Sequence, residues 1–134
     1  MILSLENLLA AWLSSFSELP TVSLELLPKK NGAIALKMKK GPQIIRRYIS
    51  GKKLIYAEFT LRMRVSNADT KTRLEALNTL ETAGKTIKNG VDSLSGVNAL
   101  KAELKDYPKL CQRTDNGDDE YEAAYYIVFS EDDV

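Results

Sequence analysis

A strict alternation of apolar and polar side chains over residues 59–65 limits the fold of this chain more than any other feature. The apolar set falls on one face of an extended segment: Phe59, Leu61, Met63 and Val65. The polar set falls on the other: Thr60, Arg62 and Arg64. Because successive side chains of a strand point to opposite faces, this pattern predicts a β-strand with one buried face. The role of the arginines on the opposite face is the main question that the sequence raises.

Two hairpins are predicted in the first half of the chain. Segments 21–27 and 33–39 alternate with period 2, and Asn31-Gly32 between them is typical of a tight hairpin turn. The sequence KKGP at 39–42 breaks the chain, and the next hairpin has Ser50-Gly51 at its tip. We therefore expect antiparallel pairing within each hairpin.

Two amphipathic helices are predicted. The first covers 4–17, where apolar residues recur at helical spacing and Ser4 is a suitable N-cap. Trp12 and Phe16 in this helix are interpreted as core residues. The second helix begins after Asp69, another good N-cap, and ends at Asn89-Gly90. Its predicted buried stripe is Leu74, Leu77, Leu80, Gly84 and Ile87.

Three further strands are predicted at 99–105, 109–113 and 121–129, followed by an acidic tail from about 130 to 134. The sequence as a whole predicts an α+β fold in a single domain over 1–134. Its sheet is expected to be mostly antiparallel, with about six or seven strands. Because each helix has only one apolar stripe, both helices should pack on one face of the sheet.

The composition argues against an enzyme. The chain has no histidine and a single cysteine, Cys111, which removes the commonest general base and the commonest metal ligand. No glycine-rich phosphate-binding loop occurs. The oxygen-rich segment 115–120 is the one alternative metal site, but it lacks the final Glu of a calcium loop and is interpreted as a solvated hairpin tip. We therefore expect no catalytic residues, no cofactor, no metal and no membrane span.

Charge is distributed unevenly along the chain. Residues 29–64 hold eleven Lys or Arg and one acid, whereas residues 115–134 hold eight acids and neither Lys nor Arg. The basic residues suit a nucleic-acid surface, a contact between copies of the chain, charge exchange between neighbouring strands of one copy, or a solvated face. The residues that we consider candidates for an interface are Lys39, Lys40, Arg46, Arg47, Arg62, Arg64, Asp118, Asp119 and Glu120.

The order of these segments resembles a known class of proteins. An N-terminal amphipathic helix and a short hairpin precede GPQIIRRYISGKKLIYAEFTLRMRV, then NADTKTRLEALNTLETAGKTI and a late CQRTDNGDDEYEAAYYIVF. This arrangement resembles the small minor capsid or tail-completion proteins of tailed phages and prophages, which are similar to siphophage tail terminators. The resemblance covers nearly the whole chain and is most specific in the central block.

The resemblance implies a structural role in a virion that is assembled in the cytoplasm of a bacterial host. Proteins of this class are α+β subunits that form rings, usually hexameric, on the end of the tail tube. They stop tube growth and present a surface to the head-completion proteins. Under this interpretation Arg46, Arg47, Arg62 and Arg64 would face a neighbouring subunit, the tail tube or DNA passing through a lumen.

Overall fold

The computed structural model describes residues 5–16, 22–24, 27, 32–66, 69–94, 98–113 and 118–132. These residues form two α-helices, a short 3-10 helix (Val91–Ser93) and five strands. The elements in chain order are α1 (Leu5–Ser14), β1 (Val22–Leu24), β2 (Ile34–Arg47), β3 (Lys52–Val65), α2 (Thr70–Asn89), β4 (Asn98–Arg113) and β5 (Asp119–Asp132). The fold class is α+β, as predicted.

The five strands of the described chain form one mixed sheet in the order β1-β2-β3-β5-β4. Its central pair, β3 with β5, is antiparallel and keeps one register from Lys52 opposite Asp132 to Val65 opposite Asp119. Strand β5, the last of the described strands in sequence, lies between β3 and β4 in this order. This placement brings the acidic end of the sequence against the basic strand β3.

The predicted number of strands was too high, because two segments that were predicted to separate strands lie within continuous strands. Strand β2 runs through Gly41-Pro42, and β4 runs through Pro108. Proline cannot donate a ladder hydrogen bond, but it is tolerated on an edge strand or at a bulge. Strand β4 is an edge strand, and β1 pairs only with Ile34–Leu36 of β2. Register shifts at three points in β2 and four in β4 accommodate the irregular residues.

The predicted hairpin between 21–27 and 33–39 was also wrong, since β1 runs parallel to β2 with Val22 opposite Ile34. A period-2 pattern indicates which side chains share a face, but it does not indicate strand direction. Gly32 has the positive φ of 79° that a turn requires, yet its N–H donates to the Arg64 carbonyl at 2.8 Å. This hydrogen bond therefore links the residues just before β2 to the end of β3. Asn31 lies outside the described residues.

The hydrophobic core lies between the helices and one face of the sheet. Phe59 and Leu61 are fully buried and Val65 nearly so, which confirms the face predicted from the alternation of β3. Residues of both helices belong to the same core cluster, and Trp12 packs edge-on against Phe16 with ring centroids 5.4 Å apart. The opposite sheet face, which we call the polar face, carries the even-numbered side chains of β3 and β5.

Helix α2 begins as predicted, and Leu80, Gly84 and Ile87 of its predicted stripe are buried, whereas one member of the stripe is not. Asp69 accepts the Thr72 N–H at 2.8 Å, and the Asp69 N–H donates to the Thr72 hydroxyl at 2.9 Å, which forms a capping box. Leu74, predicted to be in the core, is 61% exposed. At Gly84 an added Cβ would lie 3.1 Å from the Leu104 Cβ, so a glycine allows α2 to approach β4 closely. The other predicted N-cap, Ser4, lies outside the described residues.

Candidate functional site

The arginines of β3 lie opposite the acids of β5 on the polar face. In the register of the central pair, Arg62 is opposite Glu122 and Arg64 is opposite Glu120. Directly opposed residues of an antiparallel pair share a face and lie close together, so opposite charges there attract. The alternation of β3 and the late acidic segment therefore produce a cross-strand charge cluster.

The contacts in this cluster are short and partly shielded from water. Arg64 binds Asp118 Oδ2 through Nη1 at 3.1 Å and Glu120 Oε2 through Nη2 at 2.9 Å. Arg62 reaches the other Glu120 oxygen and Glu122, both at 3.4 Å. The Arg64 and Glu120 side chains are 10% and 7% exposed, whereas Arg62 is 39% exposed. Glu120 thus bridges both arginines. These contacts agree with one of the interpretations of the basic residues, namely ion pairing between neighbouring strands of one copy.

Asp119 belongs to a second cluster, next to the first. Its carboxylate is 1% exposed and lies 3.1 Å from the Nε atoms of both Arg73 and Arg113. The Tyr121 hydroxyl donates to it at 3.3 Å, and burial with the adjacent Asp119 raises the pKa of Tyr121. This cluster joins α2, β4 and β5. Sequence analysis identified neither Arg73 nor Arg113. Arg73 is far from residue 119 along the chain, whereas Arg113 is directly opposite Asp119 in β4 and β5, so pairing across the predicted turn was a signal that could have found it.

Glu58 forms a third polar contact that sequence reasoning did not single out. Although it is only 2% exposed, its Oε2 accepts hydrogen bonds from Lys105 Nζ at 2.6 Å and the Tyr56 hydroxyl at 2.7 Å. The hydrogen bond from Lys105, followed by that from Tyr56, lowers the pKa of Glu58. The pKa of Lys105 is raised by the same hydrogen bond. A signal was present, since Glu58 is the single acid among residues 29–64.

Replacing Glu58 with Gln should reduce the pH dependence of stability in mild acid. The lowered pKa means that the ionised carboxylate stabilises the folded protein above its unfolded value near 4.5, and that this stability is lost as pH falls through the folded pKa. Urea unfolding between pH 3 and 7 should therefore show a steeper loss below about pH 5 for the parent than for Glu58→Gln. Parallel curves for the two proteins would contradict the assignment, and Glu81→Gln, at an exposed site on α2, serves as the control.

Lys39 marks one wall of a groove on the polar face. Its Nζ lies 3.4 Å from Asp106 Oδ2, although Lys39 is in β2 and Asp106 is in β4, with two strands between them. In a flat sheet those strands would be roughly 14 Å apart, too far for this contact, so the sheet curves toward its polar face. The resulting groove has a volume of about 330 Å³ and a floor that includes the small side chains of Thr60 and Ala124.

The other basic candidates lie toward the free end of the β2–β3 hairpin. Lys40 is opposite Glu58, and its charge contributes to lowering the pKa of that carboxyl. Arg46 lies over the ring of Tyr48 at 5.8 Å, and Arg47 is opposite Lys53. The structure therefore divides the nine candidate residues among the charge cluster of Arg62 and Arg64, the Asp119 cluster, the groove and the hairpin. Their use as contacts with another molecule stays a prediction.

The described residues include no group of three or more Cys, Asp or Glu arranged to hold a metal ion. Part of the oxygen-rich segment 115–120, residues 115–117, lies outside them. Among the described helices, none is long and apolar enough to cross a membrane.

Comparison with known proteins shows that the fold of this chain is similar to that of solved structures. A chain from the virion of a native gene transfer agent particle has a TM-score of 0.51 and 12% identity, covering 92% of this chain and 84% of that chain. A second solved structure, which carries no functional name, has a TM-score of 0.42 and 15% identity over 94% of this chain and 91% of its own, too low to carry an argument. No protein-family model matches, and no curated protein matches.

Proposed function

We propose that this protein is a non-enzymatic virion assembly protein, a tail terminator or tail-completion subunit. In this role it forms a ring, with a hexamer favoured, that caps the tail tube and joins it to the head-completion proteins. The observation that carries the proposal is the likeness of nearly the whole chain to a chain of a gene transfer agent virion. The order of sequence blocks around IIRRYISGKK supports it independently.

The chemistry of the described residues suits a structural role. The buried or half-buried charges are engaged with one another in the Arg64, Asp119 and Glu58 clusters, where they join strands rather than meet a substrate. Burial raises the pKa of Cys111, which reduces the fraction of reactive thiolate at neutral pH. Such side chains stabilise a sheet, and a rigid sheet is what a subunit of a repeated assembly requires.

The test is electron microscopy of tails assembled with and without this protein. Without it, tails should have variable lengths, because nothing stops growth of the tube, and they should fail to join heads. Supplying the protein in trans should restore uniform length. Tails that keep one length in its absence would rule out the terminator role.

Binding of nucleic acid is the second candidate, and the exposed lysines along β2, Lys37 and Lys40, favour it. The polar face as a whole is less suitable than its sequence suggested, since Arg62 and Arg64 are already paired with acids of β5. Binding to generic duplex DNA that weakens steeply with salt would favour this candidate, including DNA in a ring lumen.

A further inference from the structure

The end of the β2–β3 hairpin, residues 43–53, combines exposed apolar side chains with positive charge, and we call it the hairpin arm. Four large apolar residues are exposed within six positions: Ile44 by 44%, Ile45 by 53%, Tyr48 by 45% and Ile49 by 109%. The arm also holds Arg46, Arg47, Lys52 and Lys53 and no acid, although Lys53 forms a 3.4 Å ion pair with Glu131 of β5. A cluster of exposed aliphatic and aromatic side chains of this kind marks an interaction surface.

The arm is an ordered element. The Tyr48 N–H donates to the Lys52 carbonyl at 2.8 Å, and the Gly51 N–H donates to the Tyr48 carbonyl at 3.1 Å. Gly51 has a φ of 91°, which a side chain there would strain, so the turn is specified by its sequence. An ordered arm loses little conformational entropy when it binds, which favours affinity.

Side chains, rather than the backbone edge, provide this surface. Beyond Leu36, the outer edge of β2 has no strand neighbour among the described residues. Strand β2 contains Pro42 and several lysines, and its pairing with β3 has three register shifts, features that discourage pairing of its outer edge with a further strand. The partner must therefore recognise isoleucine and arginine side chains.

Charged side chains occupy both faces of the arm. Arg46 is opposite Leu54 and Arg47 is opposite Lys53, and because neighbouring β3 residues point to opposite faces, so do the two arginines. A flat bilayer would meet one face only. A nucleic-acid backbone would attract the arginines, but it offers nothing apolar to Ile45 and Ile49. Tyrosine and arginine are enriched at protein interfaces, and the buried centre of an interface is apolar, which suits the isoleucines.

We infer that the hairpin arm inserts into an acidic cleft of a partner protein, with Ile45 and Ile49 as apolar anchors and Arg46 and Arg47 contacting carboxylates on the two walls. The inference needs no particular biological role for the chain and holds whether or not it is a tail terminator. It places the main contact on the arm instead of the polar face that carries Arg62 and Arg64.

Fluorescence anisotropy with three labelled probes tests the inference at near-physiological salt. The probes are a peptide of glutamates interspersed with leucines, a peptide of equal charge with serine in place of each leucine, and a generic DNA duplex. The leucine peptide should bind at least about tenfold more tightly than the serine peptide, because only it can bury the isoleucines. It should also bind more tightly than the duplex.

Substitutions in the hairpin arm test which residues are responsible for peptide binding. Ile45→Ser/Ile49→Ser should make the two peptides bind equally, and Arg46→Ala/Arg47→Ala should weaken both. The matched controls, Leu74→Ser/Leu100→Ser and Lys71→Ala/Lys85→Ala, change exposed residues elsewhere and should leave binding unchanged. Far-UV circular dichroism checks that each variant folds. Equal binding of both peptides by the parent, tighter binding of the duplex, or no peptide binding at millimolar concentration would overturn the inference.

Discussion

Replacing Arg64 with Met should lower the free energy of unfolding by about 3–5 kcal/mol, because it removes one partner of a buried ion pair. Glu120 would keep its burial and lose the 2.9 Å contact with Arg64, retaining only the longer contact of 3.4 Å with Arg62. Asp118 would lose its 3.1 Å contact as well. Urea unfolding at pH 7 followed by circular dichroism measures the change.

Two further variants test whether the loss of stability comes from leaving a buried charge without its partner. Arg64→Met/Glu120→Leu should recover most of the lost stability, because an apolar pair of similar volume can replace a buried ion pair. Lys39→Met breaks the contact between Lys39 and Asp106. Because both side chains are about half exposed, the free energy of unfolding should fall by less than about 1 kcal/mol. If Arg64→Met were as stable as Lys39→Met, the cluster would not be holding β3 to β5.

Truncating Tyr125 to Ala should be of comparable severity, with a loss of about 3–5 kcal/mol, as for other large aromatic side chains in protein cores. Tyr125 is fully buried, and its ring stacks on Phe59 with centroids 5.4 Å apart. Truncation would leave a cavity between β5 and α2 and remove this stacking. Because small domains are stable by about 5–15 kcal/mol in total, the variant should unfold well below the midpoint temperature of the parent.

Tyr125→Phe provides the matched control. The hydroxyl of Tyr125 donates to the Leu80 carbonyl of α2 at 2.7 Å, and burial raises the pKa of Tyr125, so the group remains a neutral donor. Losing one such hydrogen bond while keeping the ring should cost about 1 kcal/mol. A loss for Tyr125→Phe as large as that for Tyr125→Ala would assign the stability to the hydrogen bond rather than to packing. Thermal and urea unfolding of both variants make the comparison.

Local patterns in the sequence were reliable where neighbouring residues alone decide the outcome. The alternation around Phe59 and Leu61 correctly predicted the buried face of β3, because period 2 is a property of the strand itself. Asp69 was correctly predicted to cap α2, since a cap and its Thr72 partner are three residues apart.

Features that depend on distant neighbours were not predictable. Pro42 and Pro108 were interpreted as breaks, but whether a proline ends a strand depends on whether the strand lies at an edge. The direction of β1 could not be predicted either, since the alternation of polar and apolar residues is the same in a parallel and an antiparallel strand. Among the candidate residues, the charge asymmetry identified both sides of the Arg64 cluster. Contact between these charges within one copy was one of several interpretations, and the charge pattern could not choose among them, because the choice depends on whether β5 inserts beside β3.

The insertion of β5 between β3 and β4 has a consequence for synthesis of the chain. Strand β5 follows the other described strands in the sequence but lies between β3 and β4, so β3 and β4 cannot be joined until residues 119–132 have left the ribosome. Until then β3 exposes an unpaired edge, the kind of surface through which nascent chains associate wrongly. The long sequence separation between β3 and β5 also makes their pairing slow. Folding of the described domain therefore depends on the fourteen residues of β5, and chains truncated before Asp119 should be insoluble.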